Sequence, residues 1–236
     1  MLRAARLLMC TAALVGVAAA CSPEVVIAHD EREAGASGEV GGAAPEPERV
    51  LADSVADFSL TQGQDGWYYG YDGGSLDSFA LMTRTSVITT YVPATGDVWD
   101  CWANDVTHWA QLFRLGGHPN GTDTSAPSPP ILQRVVRRWL SSFAGDVAIS
   151  GELAKIDVTV MGSNGIDGIV YVDGVERYAT FIGGEDGGGL SYEVFASLKR
   201  GSTVDFVLDA HDGDDHHDLS RFTAVIAKAA ALSAAP

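Results

Sequence analysis

Residues 169–181 read IVYVDGVERYATF, and this stretch decides the fold class of the chain. The Asp173-Gly174 dipeptide lies inside a run of strand-forming residues, where it favours a two-residue turn between antiparallel strands. The stretch therefore predicts a tight β-hairpin.

Period-two alternation recurs around this hairpin, in TVDFVLD (203–209), GLSYEVFASLK (189–199) and DVAISGEL (146–153). Alternation of apolar and polar residues is typical of half-buried strands. No stretch shows a long helical period, and 27 glycines separate many short strands. The chain is therefore predicted to be all-β, an antiparallel jelly-roll-like β-sandwich preceded by a signal peptide and a disordered linker.

The N-terminus is typical of an export signal, because a short basic segment precedes an apolar run over residues 7–20 that is too short to span a bilayer. The end of this run, VAAAC at 17–21, resembles the lipobox of bacterial lipoproteins. That resemblance implies cleavage before Cys21 and acylation of its thiol, so membrane lipid becomes a partner. It places the protein in the bacterial cell envelope, and Ser22 favours the outer membrane.

Composition divides the rest of the chain. Residues 21–52 carry the lipidated cysteine and a segment rich in Glu, Gly, Ala and Pro, which we expect to be a disordered acidic linker. The sandwich is expected over residues 53–227 and a disordered tail over 228–236.

The formal net charge of −16 repels polyanions, so nucleic acid is not an expected ligand. Cys101 has no partner for a disulfide and is expected to be buried.

Several blocks of the domain carry a second resemblance: DFSLTQGQDGWYYGYDGG (57–74), VVRRWLSSFAGDVAISGEL (135–153) and GSTVDFVLDAHDGDDHHDLSRFTAVI (201–226). Together they resemble a bacterial extracellular β-sandwich domain that occurs as an accessory module in surface and polysaccharide-degrading proteins. That domain is similar to carbohydrate-binding modules. The resemblance implies a polysaccharide ligand.

Two groups of aromatic residues are candidates for binding a sugar ring. Alternation places Trp67, Tyr69 and Tyr71 on one side of a strand, where they would form a flat stacking platform. The second group lies before a probable loop and comprises Trp99, Trp102 and Trp109. Its candidate ligand-binding residues are Trp99, Trp102 and the neighbouring Asp105. The alternative is that these rings pack between the sheets of the sandwich or plug a long connection.

The RRW block at 137–139 yields a more local expectation. On a strand, Arg137 and Trp139 share one face and Arg138 faces away, so one arginine could reach a ligand or a buried carboxylate. We interpret the block as structural.

The stretch DAHDGDDHHD at 209–218 holds five aspartates and three histidines in ten residues. Its spacing does not match an EF-hand, because histidines occupy positions that need Asp and Gly. Three interpretations remain open: a solvated acidic turn, a structural calcium site, or a transition-metal site that uses the histidines. The calcium interpretation names as ligands Asp209, Asp212, Asp214, Asp215 and Asp218.

These observations predict a lipid-anchored, non-catalytic envelope protein whose sandwich binds carbohydrate. One alternative is a structural or adhesive lipoprotein that binds an envelope protein partner. Another is a metal-dependent hydrolase centred on His211, His216 and His217. The chain contains no G-x-S-x-G elbow, H-E-x-x-H pair or glycine-rich phosphate loop.

Overall fold

The structure is a computed structural model that describes residues 49–88, 99–104, 109–158 and 162–229. The predicted signal peptide, Cys21 and most of the expected linker lie outside the described residues. The sheets begin at Val50 and end at Lys228, slightly beyond the two expected boundaries of the sandwich.

The described residues form two sheets whose named strands all pair antiparallel, which confirms the predicted all-β sandwich class. The strands are β1 Val50–Asp53, β2 Trp67–Asp72, β3 Ala80–Leu81, β4 Arg84–Ile88, β5 Trp99–Ala103, β6 Gln111–Phe113, β7 Gly116–His118, β8 Arg134–Leu140, β9 Gly145–Lys155, β10 Ile166–Val172, β11 Val175–Ile182, β12 Leu190–Leu198, β13 Thr203–Ala210, β14 Ser220–Phe222 and β15 Val225–Lys228. Short 3-10 turns occur at Gln64–Gly66, Leu76–Ser78 and His211–Gly213.

The first sheet runs in the order β1-β15-β9-β14-β7-β6-β5-β4, and β12 pairs with the other edge of β9. The second sheet runs β11-β10-β13-β8-β2-β3. The predicted hairpin is confirmed: β10 and β11 pair antiparallel around Asp173 and Gly174, both of which have positive φ. No helix in the part of the chain that the structure describes is long and apolar enough to cross a membrane.

The core lies between the facing sides of the two sheets. The alternating residues of β12 and β13 point into it as predicted, because Tyr192, Val194, Val204 and Phe206 are all buried. The sheets approach closely at Gly168, where a Cβ atom would lie 2.6 Å from the side chain of Leu153. A larger residue at this position would require the Leu153 side chain to move.

A smaller apolar cluster packs on the other side of β5 and β6 and consists of Ile88, Cys101, Phe113 and Leu219. Cys101 is fully buried, as expected, and burial raises the pKa of its thiol to about 11. A thiol in that state is a small apolar packing group and not a nucleophile.

Candidate functional site

The predicted platform of Trp67, Tyr69 and Tyr71 is not exposed. Trp67 and Tyr69 have 0% exposed surface, and Tyr71 is half-buried against the same core cluster. The three residues do share a face, but that face is the one that packs on the opposite sheet. The platform hypothesis was therefore wrong for these rings, because the apolar side of β2 is needed to close the core.

Trp102 is also a packing residue. Its ring stacks on Tyr69 with centroids 5.9 Å apart and planes 14° apart, and its Nε1 donates a hydrogen bond to the carbonyl oxygen of Ser59 at 2.9 Å. Trp102 thus connects the segment after β1, at Ser59, to the core of the sandwich. Asp105, the polar member of the second predicted group, lies outside the described residues.

Trp99 differs from these rings because it lines an open cleft. The cleft has a volume of about 490 Å³ and is formed by residues 58–60, by Trp99 and Asp100 at the start of β5, and by residues 113–115 at the turn from β6 to β7. The volume falls within the ~300–1,000 Å³ that is usual for small-molecule sites. Of the two predicted aromatic groups, only Trp99 contributes to this cleft.

The cleft combines aromatic surface with charged and polar groups. Phe58 and Trp99 are half-buried, and the Trp99 ring is fixed by stacking on Phe113, with centroids 4.9 Å apart and planes 23° apart. Asp100 and Arg114 are exposed at its rim, and neither side chain has an ion-pair partner among the described residues. The rim therefore offers one acceptor group and one donor group to a ligand.

A buried guanidinium holds the backbone of one wall of the cleft. Arg137 is only 2% exposed, and its Nη2 donates to the carbonyl oxygens of Phe113 at 2.5 Å and of Arg114 and Gly116 at 3.4 Å. Its Nη1 donates to the carbonyl oxygen of Ser54, which follows β1, at 3.5 Å. Burial lowers the pKa of Arg137, yet a guanidinium keeps its charge in proteins. Arg137 thus acts as a clamp on backbone carbonyls.

The RRW block behaves as predicted. Arg137 and Trp139 point into the core, whereas Arg138 points away and binds Asp205 on the neighbouring strand, with Nε 2.5 Å from Oδ1. Burial raises the pKa of Asp205, and Arg138 opposes that shift. The buried carboxylate that one arginine was expected to reach is Asp205.

The aspartates of residues 209–218 do not converge on one point. Asp218 Oδ1 binds Lys155 at 2.7 Å, Asp215 Oδ2 accepts from the backbone of Gly121 at 2.8 Å, and Asp209 lies 3.7 Å from Arg134. The other two differ again: Asp212 has a side chain 88% exposed, and Asp214 is bound to His216. No group of three or more possible metal ligands comes together within residues 49–88, 99–104, 109–158 and 162–229.

The three histidines of the hydrolase alternative bind three different carboxylates. Nδ1 of His211 lies 2.9 Å from Asp167, that of His216 lies 2.6 Å from Asp214, and that of His217 lies 3.2 Å from Asp157. The hydrogen bonds to Asp167 and Asp214 raise the pKa values of His211 and His216. In the described structure these three pairs are separate, so the histidines do not form a shared catalytic centre.

Sequence reasoning missed most of the cleft. Phe58 lies in the stretch 57–74 but belongs to no alternating run. Arg114 follows β6 in a turn that carries no recognisable motif. The available signal was a charged residue between two apolar ones in FRL at 113–115.

No family model matches the chain, and no curated protein matches it. Solved structures similar to it include a family 35 carbohydrate binding module from Clostridium thermocellum, with a TM-score of 0.32 and 10% identity over 68% of this chain and 98% of that one. Another is the CBM22-1 xylan-binding domain of Paenibacillus barcinonensis Xyn10C, with a TM-score of 0.34 and 14% identity over 78% and 94%.

A third similar structure contains the CBM51-2 and INT domains of Clostridium perfringens ZmpB, with a TM-score of 0.33 and 12% identity over 77% of this chain and 40% of that chain. These neighbours are carbohydrate-binding modules of sandwich type. The fold assignment of this protein rests on its own two sheets.

Proposed function

We propose that this protein is a lipid-anchored, non-catalytic envelope protein whose sandwich binds carbohydrate in the cleft at Trp99. The observation that carries the proposal is the composition of this cleft, in which an indole ring lies beside two charged groups that have no ion-pair partner among the described residues. The lipid anchor at Cys21 is proposed from the resemblance of residues 17–21 to a lipobox.

A sugar presents an apolar face of C–H groups and a periphery of hydroxyl groups. Trp99 and Phe58 offer aromatic surface to the apolar C–H face of the sugar, since aromatic rings combine a large apolar area with a defined geometry. Asp100 and Arg114, which line the cleft, can accept hydrogen bonds from the hydroxyls and donate hydrogen bonds to them. This match of chemistry favours a saccharide over a purely apolar ligand.

The charge of the chain narrows the ligand class. A net charge of −16 creates a field that repels polyanions, whereas the cleft itself offers one negative and one positive side chain. We therefore propose a neutral glycan. The cleft volume of about 490 Å³ suits a short segment of a chain, and not an extended polysaccharide along a whole sheet face.

A glycan-array screen with the purified protein tests this proposal. The decisive variant is Trp99→Ala, and the matched control is Phe195→Ala, which removes an aromatic ring that is 66% exposed on β12. We expect wild type and control to bind the same neutral glycan and Trp99→Ala to lose at least tenfold in affinity, which corresponds to about 1.4 kcal/mol of binding free energy.

Thermal melting of the same samples separates binding from folding. If Trp99→Ala retains full affinity for the glycan, the cleft is not the binding site. If wild-type protein binds no glycan at all, the carbohydrate function fails, and the alternative of an envelope protein partner becomes the leading hypothesis.

A further inference from the structure

The described structure contains one ion pair in which both side chains are fully buried. Lys155 ends β9, and Asp218 lies just before β14, whose first residue Ser220 pairs with Lys155 in the sheet. Nζ of Lys155 is 2.7 Å from Oδ1 of Asp218, and both side chains have 0% exposed surface. The two functional groups are therefore held in contact, away from water.

The surroundings of this pair are incomplete for an ion pair. Oδ1 of Asp218 also accepts a hydrogen bond from the Ser163 hydroxyl at 3.1 Å, whereas Oδ2 is buried without any hydrogen-bond partner among the described residues. A buried carboxylate oxygen with no donor is costly. Oδ1 is thus fixed by two hydrogen bonds, whereas Oδ2 can accept a proton and act as a leaving group.

We propose that Lys155 and Asp218 condense to an intramolecular isopeptide bond that joins β9 to the segment before β14. The proposal rests on the contact, the burial and the unpaired Oδ2, and it does not depend on glycan binding. It gives the Asp-rich stretch at 209–218 a covalent structural role at Asp218.

The reaction balances without any other reagent. The Lys155 ammonium first gives a proton to the Asp218 carboxylate, which produces a neutral amine and a carboxylic acid. Nζ then attacks the carboxyl carbon, forms the N–C bond and pushes the C=O electron pair onto Oδ1. A proton passes from nitrogen to the hydroxyl at Oδ2, the C–O bond breaks, and water leaves with Oδ2. The C=O bond re-forms at Oδ1, and the product is an amide.

The environment favours the neutral forms that this reaction needs. Burial raises the pKa of Asp218 to about 6, opposed by Lys155, and burial lowers the pKa of Lys155, opposed by Asp218. Both shifts favour transfer of the proton from the amine to the carboxylate. Holding two reacting groups in contact also replaces a bimolecular encounter, which corresponds to effective concentrations on the order of 10⁵ M or more in well-oriented cases.

Two neighbouring groups can assist the proton transfers. Asp157 follows Lys155 by two positions, binds Nδ1 of His217 at 3.2 Å, and lies close enough to raise the pKa of Lys155. In the proposed reaction we assign to its carboxylate the transfer of the proton from nitrogen to the leaving hydroxyl. The Ser163 hydroxyl donates to Oδ1, the atom on which negative charge develops during the attack.

Mass spectrometry of the full chain tests the proposal directly. We expect an intact mass lower by one water than the mass calculated for the processed sequence. Trypsin should fail to cut after Lys155, so that peptide 139–177 appears joined to peptide 201–221. Free peptides that end at Lys155, at full yield and without any loss of water, would overturn the proposal from the wild-type protein alone.

Variants identify the two atoms that react. Asp218→Asn should lose one ammonia in place of one water, because a carboxamide releases its nitrogen. Lys155→Arg should show neither loss, and Lys199→Arg, which changes an exposed lysine, should keep the loss of water. A water loss that persists in Lys155→Arg would assign the bond to another lysine and contradict the proposal.

Discussion

Replacing Trp67 with alanine distinguishes a core role from a ligand-binding role for the ring. Trp67 is completely buried, its ring contacts Phe206 at a centroid distance of 6.1 Å, and its Nε1 donates to Asp57 at 3.4 Å. Removing a fully buried Trp ring costs about 3–5 kcal/mol of unfolding free energy, because apolar contact is lost and a cavity is left. We therefore expect Trp67→Ala to be strongly destabilised.

The expected loss is measurable without abolishing the fold. Domains of this size typically have unfolding free energies of roughly 5–15 kcal/mol, so most of the variant should remain folded at 25 °C. A loss of ~3–5 kcal/mol corresponds to a decrease of about 6–20 °C in the midpoint of thermal unfolding. Urea unfolding with an unchanged slope would show that the free energy itself has changed.

The assay compares Trp67→Ala with Phe195→Ala in the same buffer. Phe195 is 66% exposed, so its removal should change the free energy of unfolding by no more than about 0.5 kcal/mol. Folded Trp67→Ala protein should bind the glycan as wild type does. A variant that melts within about 2 °C of wild type, which is under ~1 kcal/mol, and loses glycan binding would refute the core assignment of β2.

Three further predictions follow from buried and half-buried groups. Burial raises the pKa of Asp209 to about 6, so the folded state binds the proton of this carboxyl group more tightly than the unfolded chain does. The stability that this proton binding contributes is therefore lost as pH rises from about 4 to 6. Asp209→Asn should therefore gain stability relative to wild type across that window in urea titrations, and an unchanged difference would contradict the shift. Because the aspartates of residues 209–218 have separate partners, treatment with a chelator should leave the melting midpoint unchanged, and a rise on adding calcium would support the ion. Arg137→Lys cannot reach the carbonyls of both Ser54 and Phe113, so amide hydrogen exchange should increase in segments 54–60 and 113–116, and unchanged exchange would argue against the clamp.

The strands were largely predictable because alternation reports which residues share a face. It correctly grouped Val204 with Phe206, and it correctly grouped Trp67 with Tyr69. What alternation does not report is which face is turned towards the second sheet. For β2 both faces carry an aromatic ring, so the choice depends on the partner strand β8, which lies more than 60 residues away in sequence.

The Asp-rich stretch shows a second limit of spacing arguments. Density in sequence suggested convergence of the side chains, but Asp212 and His217 adopt left-handed φ values of 53° and 62°. Such residues reverse the direction of the chain, so neighbouring carboxylates reach different partners. The cleft could not be predicted for a related reason, since residues 58–60, 99–100 and 113–115 are separated in sequence and come together through the sheet order and through tertiary contacts such as the stacking of Trp99 on Phe113.

Arg137 and Lys155 are both buried cations, and they differ in a way that bears on their roles. Arg137 has backbone carbonyls as partners and no carboxylate, which suits a group that stays charged and holds several acceptors in a plane. At position 155, an arginine would satisfy both oxygens of Asp218 in a bidentate pair, whereas the lysine present leaves Oδ2 unpaired. Only the lysine can lose its proton and act as a nucleophile. If the contact were an ion pair and nothing more, Lys155→Arg would be at least as stable as wild type provided that it fits. If the bond forms, the same variant loses a covalent link and should melt at a lower temperature.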